Sequence, residues 1–284
     1  MTETVVIVGA GGKMGKRAAQ KIGRDSRYKV LMCESSSERA RVLAEEGFEV
    51  TPVEVGVATA DFVVMAVPDA LIGCIAHQLV PQMKRDGTLI MLDAAAEYIN
   101  ELPSPGTLTF MITHPCHPPF FTEQATEEAR CDYFGGTAVQ DILVSLAHGS
   151  ESQFLAGTEL CKAIFAPVRK AYRVTPEQFA LLEPAMAEIV VATAATLMKA
   201  SLDAAIEKGV PPEAARAFMA GHARIAMAIC FGAEGSPFSD AAKIAIQWGT
   251  REIVRPDWRK VFEPQVLQEA IRVMLHEDST GQAS

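Results

Sequence analysis

The 284-residue sequence predicts an α/β fold: a doubly wound parallel sheet followed by an all-helical C-terminal domain. Three observations predict it. Four glycines, Gly9, Gly11, Gly12 and Gly15, crowd directly behind the apolar run from Val5 to Val8. Further apolar runs then alternate with helical patterns, as parallel strands joined by crossover helices do. From Thr175 onward, helical patterns dominate.

Val5 to Val8 reads as the first strand, and Met14, Ala18, Ala19 and Ile22 follow at helical spacing. Strand, glycine turn and helix make the context that a dinucleotide fingerprint requires. Glycine permits positive φ in the turn, and without a Cβ the backbone can approach a pyrophosphate. The N–H groups and dipole of the new helix then face that anion. Read as GxGxxG, the third position is Met14, a mismatch; read as GxxGxxG, Gly9, Gly12 and Gly15 fit. "YKVLMCE" is a second strand ending in Glu34, which lies about 20 residues beyond the turn, where an acidic group meets the ribose hydroxyls. Its charge repels the 2′-phosphate of NADP, so NAD is the expected cofactor.

"SERARVLAEEG" has a serine start and a terminal glycine and reads as a helix. "DFVVMAVP" and "GTLIMLDAA" are further strands, separated by a helical stretch from Ala70 to Met83. The loops after these strands carry Val67, Pro68, Asp69 and Asp93. In doubly wound sheets ligands sit beyond the carboxyl ends of the strands, so these loops border the cofactor. The expected cofactor contacts are Gly9, Gly11, Gly12, Lys13, Met14, Glu34, Val67 and Asp69.

After "LTFMITHPCHPPFF" the alternation weakens, and residues 122–137 read as a polar loop or short insertion. "AVQDILVSLAHG" reads as a strand, "SESQFLAGTELCKAIF" as a helix and "PVRKAYRV" as a last strand or connector. Thr175, Pro176 and Gln178 form a capping box with proline at the first helical position, and the helix they start is expected to run to Lys208. Further helices follow Pro212, Ser239 and Pro264, and the tail "HEDSTGQAS" is expected to be disordered. The expected division is a dinucleotide-binding domain over 1–172 and a helical substrate and dimerisation domain over 173–284.

A net charge of −9 argues against nucleic acid or an anionic membrane as partner, since both need a basic surface. The unbroken apolar runs fall well short of the roughly 20 residues that cross a bilayer, and no cleavable leader precedes Val5. Six cysteines without a CxxC motif read as reduced thiols, which places the protein in the cytoplasm.

Two residues stand out as catalytic candidates. At about 100° per residue, Phe179, Leu182, Met186, Val190, Thr193 and Leu197 share one stripe of the long helix. Glu183 falls inside that stripe, and Glu188 and Lys199 lie opposite. A carboxylate on an apolar face is costly unless paired, protonated or bound to metal. The other candidate is in "THPCHPP", directly after a strand: histidine transfers protons near neutral pH and ligates metals. His114 or His117 is the candidate there; nothing local marks the Cys116 thiol as acidic. His222 shares a face with Phe218, Ile225 and Ile229 and reads as a core histidine, and His148 is a weaker cleft candidate. Arg169, Arg173, Arg224 and Arg251 are open alternatives for a substrate carboxylate.

"GAGGKMG" followed by "AVPDALI" resembles the 6-phosphogluconate dehydrogenase and prephenate dehydrogenase superfamily, in which a Rossmann-type NAD(P)-binding half precedes an all-helical half. The resemblance implies a homodimer formed through the helical half, with the active site between the halves. A comparable "HP" in prephenate dehydrogenases supplies the histidine that contacts the reacting hydroxyl, which favours His114 over His117. The sequence departs from the hydroxyacid dehydrogenases of that group, whose Lys-x-x-x-Asn pair is missing from the early long helix; "AAA" after Asp93 replaces their glycine-rich loop. The His-His-Arg-x-Lys stretch of dihydrodipicolinate reductases is absent too.

The glycine turn, the "THPCHPP" loop and the "LLEPAMAE" helix together resemble the D-apionate oxidoisomerases. That resemblance implies oxidation of a sugar-acid hydroxyl by NAD, coupled to a carbon-skeleton rearrangement to 3-oxo-isoapionate. It further implies a Lewis acid, zinc or another divalent metal, with His114 and Glu183 as ligands, one from each half. The competing expectations are a prephenate dehydrogenase-like or other 3-hydroxyacid dehydrogenase, and a non-catalytic NAD-sensing protein.

Overall fold

A computed structural model describes residues 2–276. Its centre is one seven-stranded sheet: β1 (Glu3–Val8), β2 (Tyr28–Cys33), β3 (Phe62–Met65), β4 (Thr88–Met91), β5 (Thr109–Pro115), β6 (Gln140–His148) and β7 (Val168–Arg173). The strand order is β2-β1-β3-β4-β5-β6-β7. β2, β1, β3, β4 and β5 run parallel, so the chain reverses its direction of winding between β1 and β3. That reversal opens a crevice at the carboxyl ends of those strands.

The inner strands are apolar on both faces because helices cover both. Val5 and Ile7 of β1 belong to one buried cluster with Ala18, Ala19 and Ile22 of the helix Lys13–Ile22. Val6 and Val8 belong to the other, with Ile72, Ala76 and Leu79 of the helix Asp69–Leu79. Continuous burial on β3 and β4 is what a parallel sheet between two helical layers requires.

β6 departs from the expected parallel order and runs antiparallel to β5. A parallel return needs a crossover of a dozen or more residues, usually a helix. Residues 116–139 supply only the one-turn helix Glu127–Arg130, so the chain comes back in the opposite sense. The helix Glu151–Ile164 then restores a parallel β7.

The chain divides into two compact units, one of residues 1–183 with 271–284 and one of residues 184–270. This differs from a boundary at 172/173. The helix that opens at Pro176 still places Phe179 and Ala180 in the core of the first unit, and Phe179 is fully buried among sheet residues. The last helix, Pro264–His276, brings Ile271 and Leu275 back to that unit as buried residues. The tail expected to be disordered starts at His276, which closes this helix; residues 277–284 lie outside the described residues.

Two readings of the long helix need correction. It spans Pro176–Glu207 as expected, and by length and composition alone it is apolar enough to cross a membrane. Counting unbroken runs missed this because Glu183 and Glu188 interrupt an otherwise apolar stretch. Between Leu181 and Ala192 the helix is π-helical. Pro184 has no N–H to donate and its ring crowds the preceding turn, and such wider turns accommodate the fault. The expected stripe is not a buried face along its length: Phe179 is buried, whereas Met186 and Leu197 are 44% and 50% exposed, and none of residues 186–207 is buried on any side.

Candidate functional site

The glycine turn follows β1 at the crevice. Gly9 has φ +78°, and a Cβ there would lie 2.5 Å from the Ala66 carbonyl oxygen. Gly15 faces the other side: a Cβ would meet Ala10 Cα and Gly9 O at 2.7 Å, so its absence lets the helix press onto the turn. Gly12 caps the helix Lys13–Ile22 with no side-chain hydrogen bond. The first-turn N–H groups thus face the crevice unoccupied by any cap of the chain's own, the arrangement that receives a phosphate oxygen. The GxxGxxG reading, rather than GxGxxG, matches these three roles.

Glu34 ends β2 beside the turn. Its Oε2 accepts the Gly11 N–H at 2.8 Å and its Oε1 the Ser36 N–H at 2.9 Å. A side chain at Gly11 would collide with that carboxylate and with Arg39. A fixed acidic group at this point suits the ribose diol and repels a 2′-phosphate. Glu34→Ala is expected to weaken NADH binding roughly tenfold, the loss of a charge-assisted hydrogen bond, and to narrow the preference for NAD over NADP. Titration calorimetry with both cofactors checks this; an unchanged preference contradicts a ribose role.

Other expected contacts divide. Val67 borders Gly9, 2.9 Å from its absent Cβ. Asp69 opens the helix after β3; burial and the nearby Asp93 carboxylate push its carboxyl up to about 6. Asp93 itself is buried, with Oδ1 accepting the Ala95 N–H at 2.6 Å. Met14 packs partly against the core. Lys13 reaches away from the turn, its Nζ 3.6 Å from the centroid of the Phe134 ring.

His114 lies near the end of β5, opposite Leu143 of β6. Its Nδ1 is 2.9 Å from the Pro115 carbonyl oxygen. A carbonyl only accepts, so Nδ1 carries the hydrogen and Nε2 keeps a lone pair. Burial holds the imidazole below its usual range; the Pro115 bond and Asp93 oppose this, and His117 adds to it. His114 is therefore neutral near pH 7. Glu183, buried, places Oε1 4.0 Å from His114 Nε2. Both residues belong to the first unit, so the expectation that they come from separate halves is corrected. Glu183 is buried, as is Phe179 four residues before it on the same stripe.

The expected metal fares differently. Among the described residues no group of three His, Cys, Asp or Glu side chains is placed to hold an ion. His114 and Glu183 supply two donors, whereas an open catalytic zinc site takes three from the protein and a closed one four. The residues present do not build a zinc centre.

His117 adopts φ +60° and lies beside His114, ring centroids 5.8 Å apart. The Cys116 thiol is pushed up to about 11 by burial and Asp141, which leaves it inert as a nucleophile. His222, read as a core residue, is exposed and stacks on exposed Phe218 with centroids 3.8 Å apart; the helix that carries it buries only Ala215. His148 is exposed at the end of β6. Arg169 and Arg173 are bound to Asp141 and Glu151, each at 2.6 Å, while Arg224 and Arg251 lie in the second unit.

Sequence reading missed Arg17. Its guanidinium is buried between Phe134 and Phe165, and Nη1 donates to the Phe134 carbonyl at 3.0 Å. The available signal was Lys13 and Arg17 standing i,i+4 on a helix whose Arg17 position belongs to its apolar face.

Comparison with known proteins fits this architecture. Residues 1–118 match the NADPH-binding domain of acetohydroxy acid isomeroreductase, and residues 122–275 match the C-terminal domain of decarboxylating phosphogluconate dehydrogenase. A D-apionate oxidoisomerase of Cupriavidus necator is 42% identical over 96% of this chain and 99% of its own. One from Blautia hydrogenotrophica is 40% identical over 96% and 97%. The crystal structure of a semialdehyde dehydrogenase NAD-binding protein from Cupriavidus necator, in complex with calcium and NAD, superposes with a TM-score of 0.92 at 40% identity, covering 96% of this chain and 99% of that one. On this identity across nearly its whole length, the chain belongs to the D-apionate oxidoisomerase family.

Proposed function

We propose that the protein is an NAD-dependent oxidoisomerase of a branched sugar acid, D-apionate, which it oxidises at a carbinol and rearranges to 3-oxo-isoapionate. The observation that carries this reading is the neutral His114, its Nε2 lone pair held at the same end of the sheet as the bare glycine turn. The turn at Gly9, Gly11 and Gly12 would hold the diphosphate, and Glu34 the ribose. NAD, when bound, supplies the hydride acceptor. His114 Nε2 takes the hydroxyl proton as the carbinol is oxidised, the role of a general base. Glu183 stabilises the imidazolium that results, across 4.0 Å.

The test is nicotinamide reduction followed by absorbance across D-apionate, other sugar acids, prephenate and 3-hydroxyisobutyrate, with product analysis of every hit. Turnover of D-apionate to the rearranged ketone supports the reading. Turnover of prephenate or 3-hydroxyisobutyrate alone replaces it with a dehydrogenase, and tight NADH binding without turnover of any acid replaces it with a sensor.

The assembly is a homodimer in this reading. In the second unit, of the apolar side chains, only Pro184, Ala185, Ala215 and Leu267 are buried. Phe218, Ile244, Trp248 and Ile253 are each more than half exposed. Apolar surface on that scale marks an interaction face, and a second copy covers it without invoking lipid or another protein. Sedimentation at twice the chain mass supports this; a monomer contradicts it. All six cysteines are free, which suits a reducing cytoplasm.

A further inference from the structure

Rearrangement after oxidation moves a proton between two neighbouring oxygens, and a single base serves only one of them at a time. The site holds a second histidine without a role so far. His117 occupies a left-handed backbone conformation, φ +60°, which non-glycine residues seldom adopt. It is held there. Its Nδ1 lies 3.2 Å from the Phe134 carbonyl oxygen, so Nδ1 carries the hydrogen and Nε2 the lone pair, as at His114.

The support behind His117 is itself fixed. Arg17 Nη1 donates to the same Phe134 carbonyl at 3.0 Å, and the Lys13 ammonium sits over the Phe134 ring. Asp132 clamps the adjoining loop by accepting the N–H groups of Gly135, Gly136, Thr137 and Ala138 at 2.5–3.0 Å. Two imidazoles of the same tautomer thus stand edge to face, 81° between planes and 5.8 Å between centroids. A base must come within about 2.6–3.2 Å of the oxygen it serves. Rings at this separation reach oxygens on adjacent carbons.

We propose that His117 is a second catalytic base, which takes the proton of the tertiary hydroxyl next to the newly formed ketone and so starts the carbon shift. The assignment rests on the oxidoisomerase reading above. Once oxidation has left a ketone and a protonated His114, His117 Nε2 removes the proton of the neighbouring hydroxyl. The alkoxide pair forms a new C=O bond. The carbon substituent migrates with its bonding pair to the old ketone carbon, and the oxygen there takes the proton from His114. The step is redox-neutral and leaves one proton, on His117, for release to water.

His117→Asn is the discriminating variant. Asparagine tolerates left-handed φ and keeps an N–H for the Phe134 carbonyl, while the Nε2 base is gone. The expected result is that rearranged product per NADH formed falls about 10²-fold, within the range for a general base, and unrearranged 2-oxo acid accumulates. His117→Gly suits the same φ, and added imidazole is expected to restore rearrangement there, which a purely structural role would not show. NADH affinity near the wild-type value confirms that both variants fold. An unchanged product ratio in His117→Asn, or loss of NADH formation in step with product, overturns the assignment while a working wild type leaves the functional reading intact. No NADH from the wild type with D-apionate overturns that reading and this assignment together.

Discussion

Replacing His114 with alanine is expected to lower turnover by about 10²-fold or more, the range for a missing general base, while NADH affinity stays within about threefold. The split follows from position: the histidine ends β5, whereas the expected coenzyme contacts lie on the turn after β1 and at the ends of β2 and β3. His114→Asn separates chemistry from folding, because its amide can still donate to the Pro115 carbonyl while no lone pair remains at the Nε2 position. Steady-state kinetics beside calorimetry decides the matter; activity that survives in either variant contradicts the assignment. The pH profile carries the sign. The base works when neutral and burial holds it below the usual 6.5. Activity is therefore expected to be flat near pH 7 and to fall only as the pH drops below that value.

The second large effect is at Gly9. Alanine there meets two costs: a left-handed φ of +78° and a Cβ 2.5 Å from a backbone oxygen that belongs to the next strand's exit. Together they amount to about 3 kcal/mol or more, and relief requires the turn to move away from the crevice. NADH affinity is expected to fall about 10²-fold or more, with a lower melting temperature. Gly232 is the control. It has φ +74° with nothing within 4 Å of an added Cβ, so Gly232→Ala carries only the dihedral cost. Equal effects of the two changes would contradict the steric account of the turn.

The sheet was legible where local rules govern it. The glycine turn, Glu34 at the end of β2 and the alternation through β4 depend on short-range backbone demands and on burial on both faces. The antiparallel β6 follows from what residues 116–139 lack, a full crossover helix; the polar-loop reading of residues 122–137 carried that signal, and the expectation of a parallel sheet did not use it. Pro184 was visible in the sequence, but its consequence was not: a proline fault can kink a helix or widen it, and here the turns from Leu181 to Ala192 are π-helical.

The histidines divide the same way. The pair His114 and His117 was legible from the strand that leads into it, and the choice of His114 came from resemblance; the structure places His114 within the last residues of β5. The pose of His117 depends on a carbonyl 17 residues away, and on Arg17 and Asp132 that hold it, contacts no spacing rule encodes. His222 was misread because apolar neighbours at helical spacing mean a buried face only if something covers it, and among the described residues nothing buries it. The expectation of zinc or another divalent metal came from resemblance, and among the described residues no third protein donor joins His114 and Glu183.

The central claim is that one site takes a hydride from a sugar-acid carbinol and then moves carbon. The direct measurement is incubation with NAD and D-apionate deuterated at the carbinol carbon, with mass spectrometry of both products. The account predicts singly deuterated NADH in equal amount to rearranged 3-oxo-isoapionate. Coenzyme that stays oxidised, or NADH without deuterium, would contradict it.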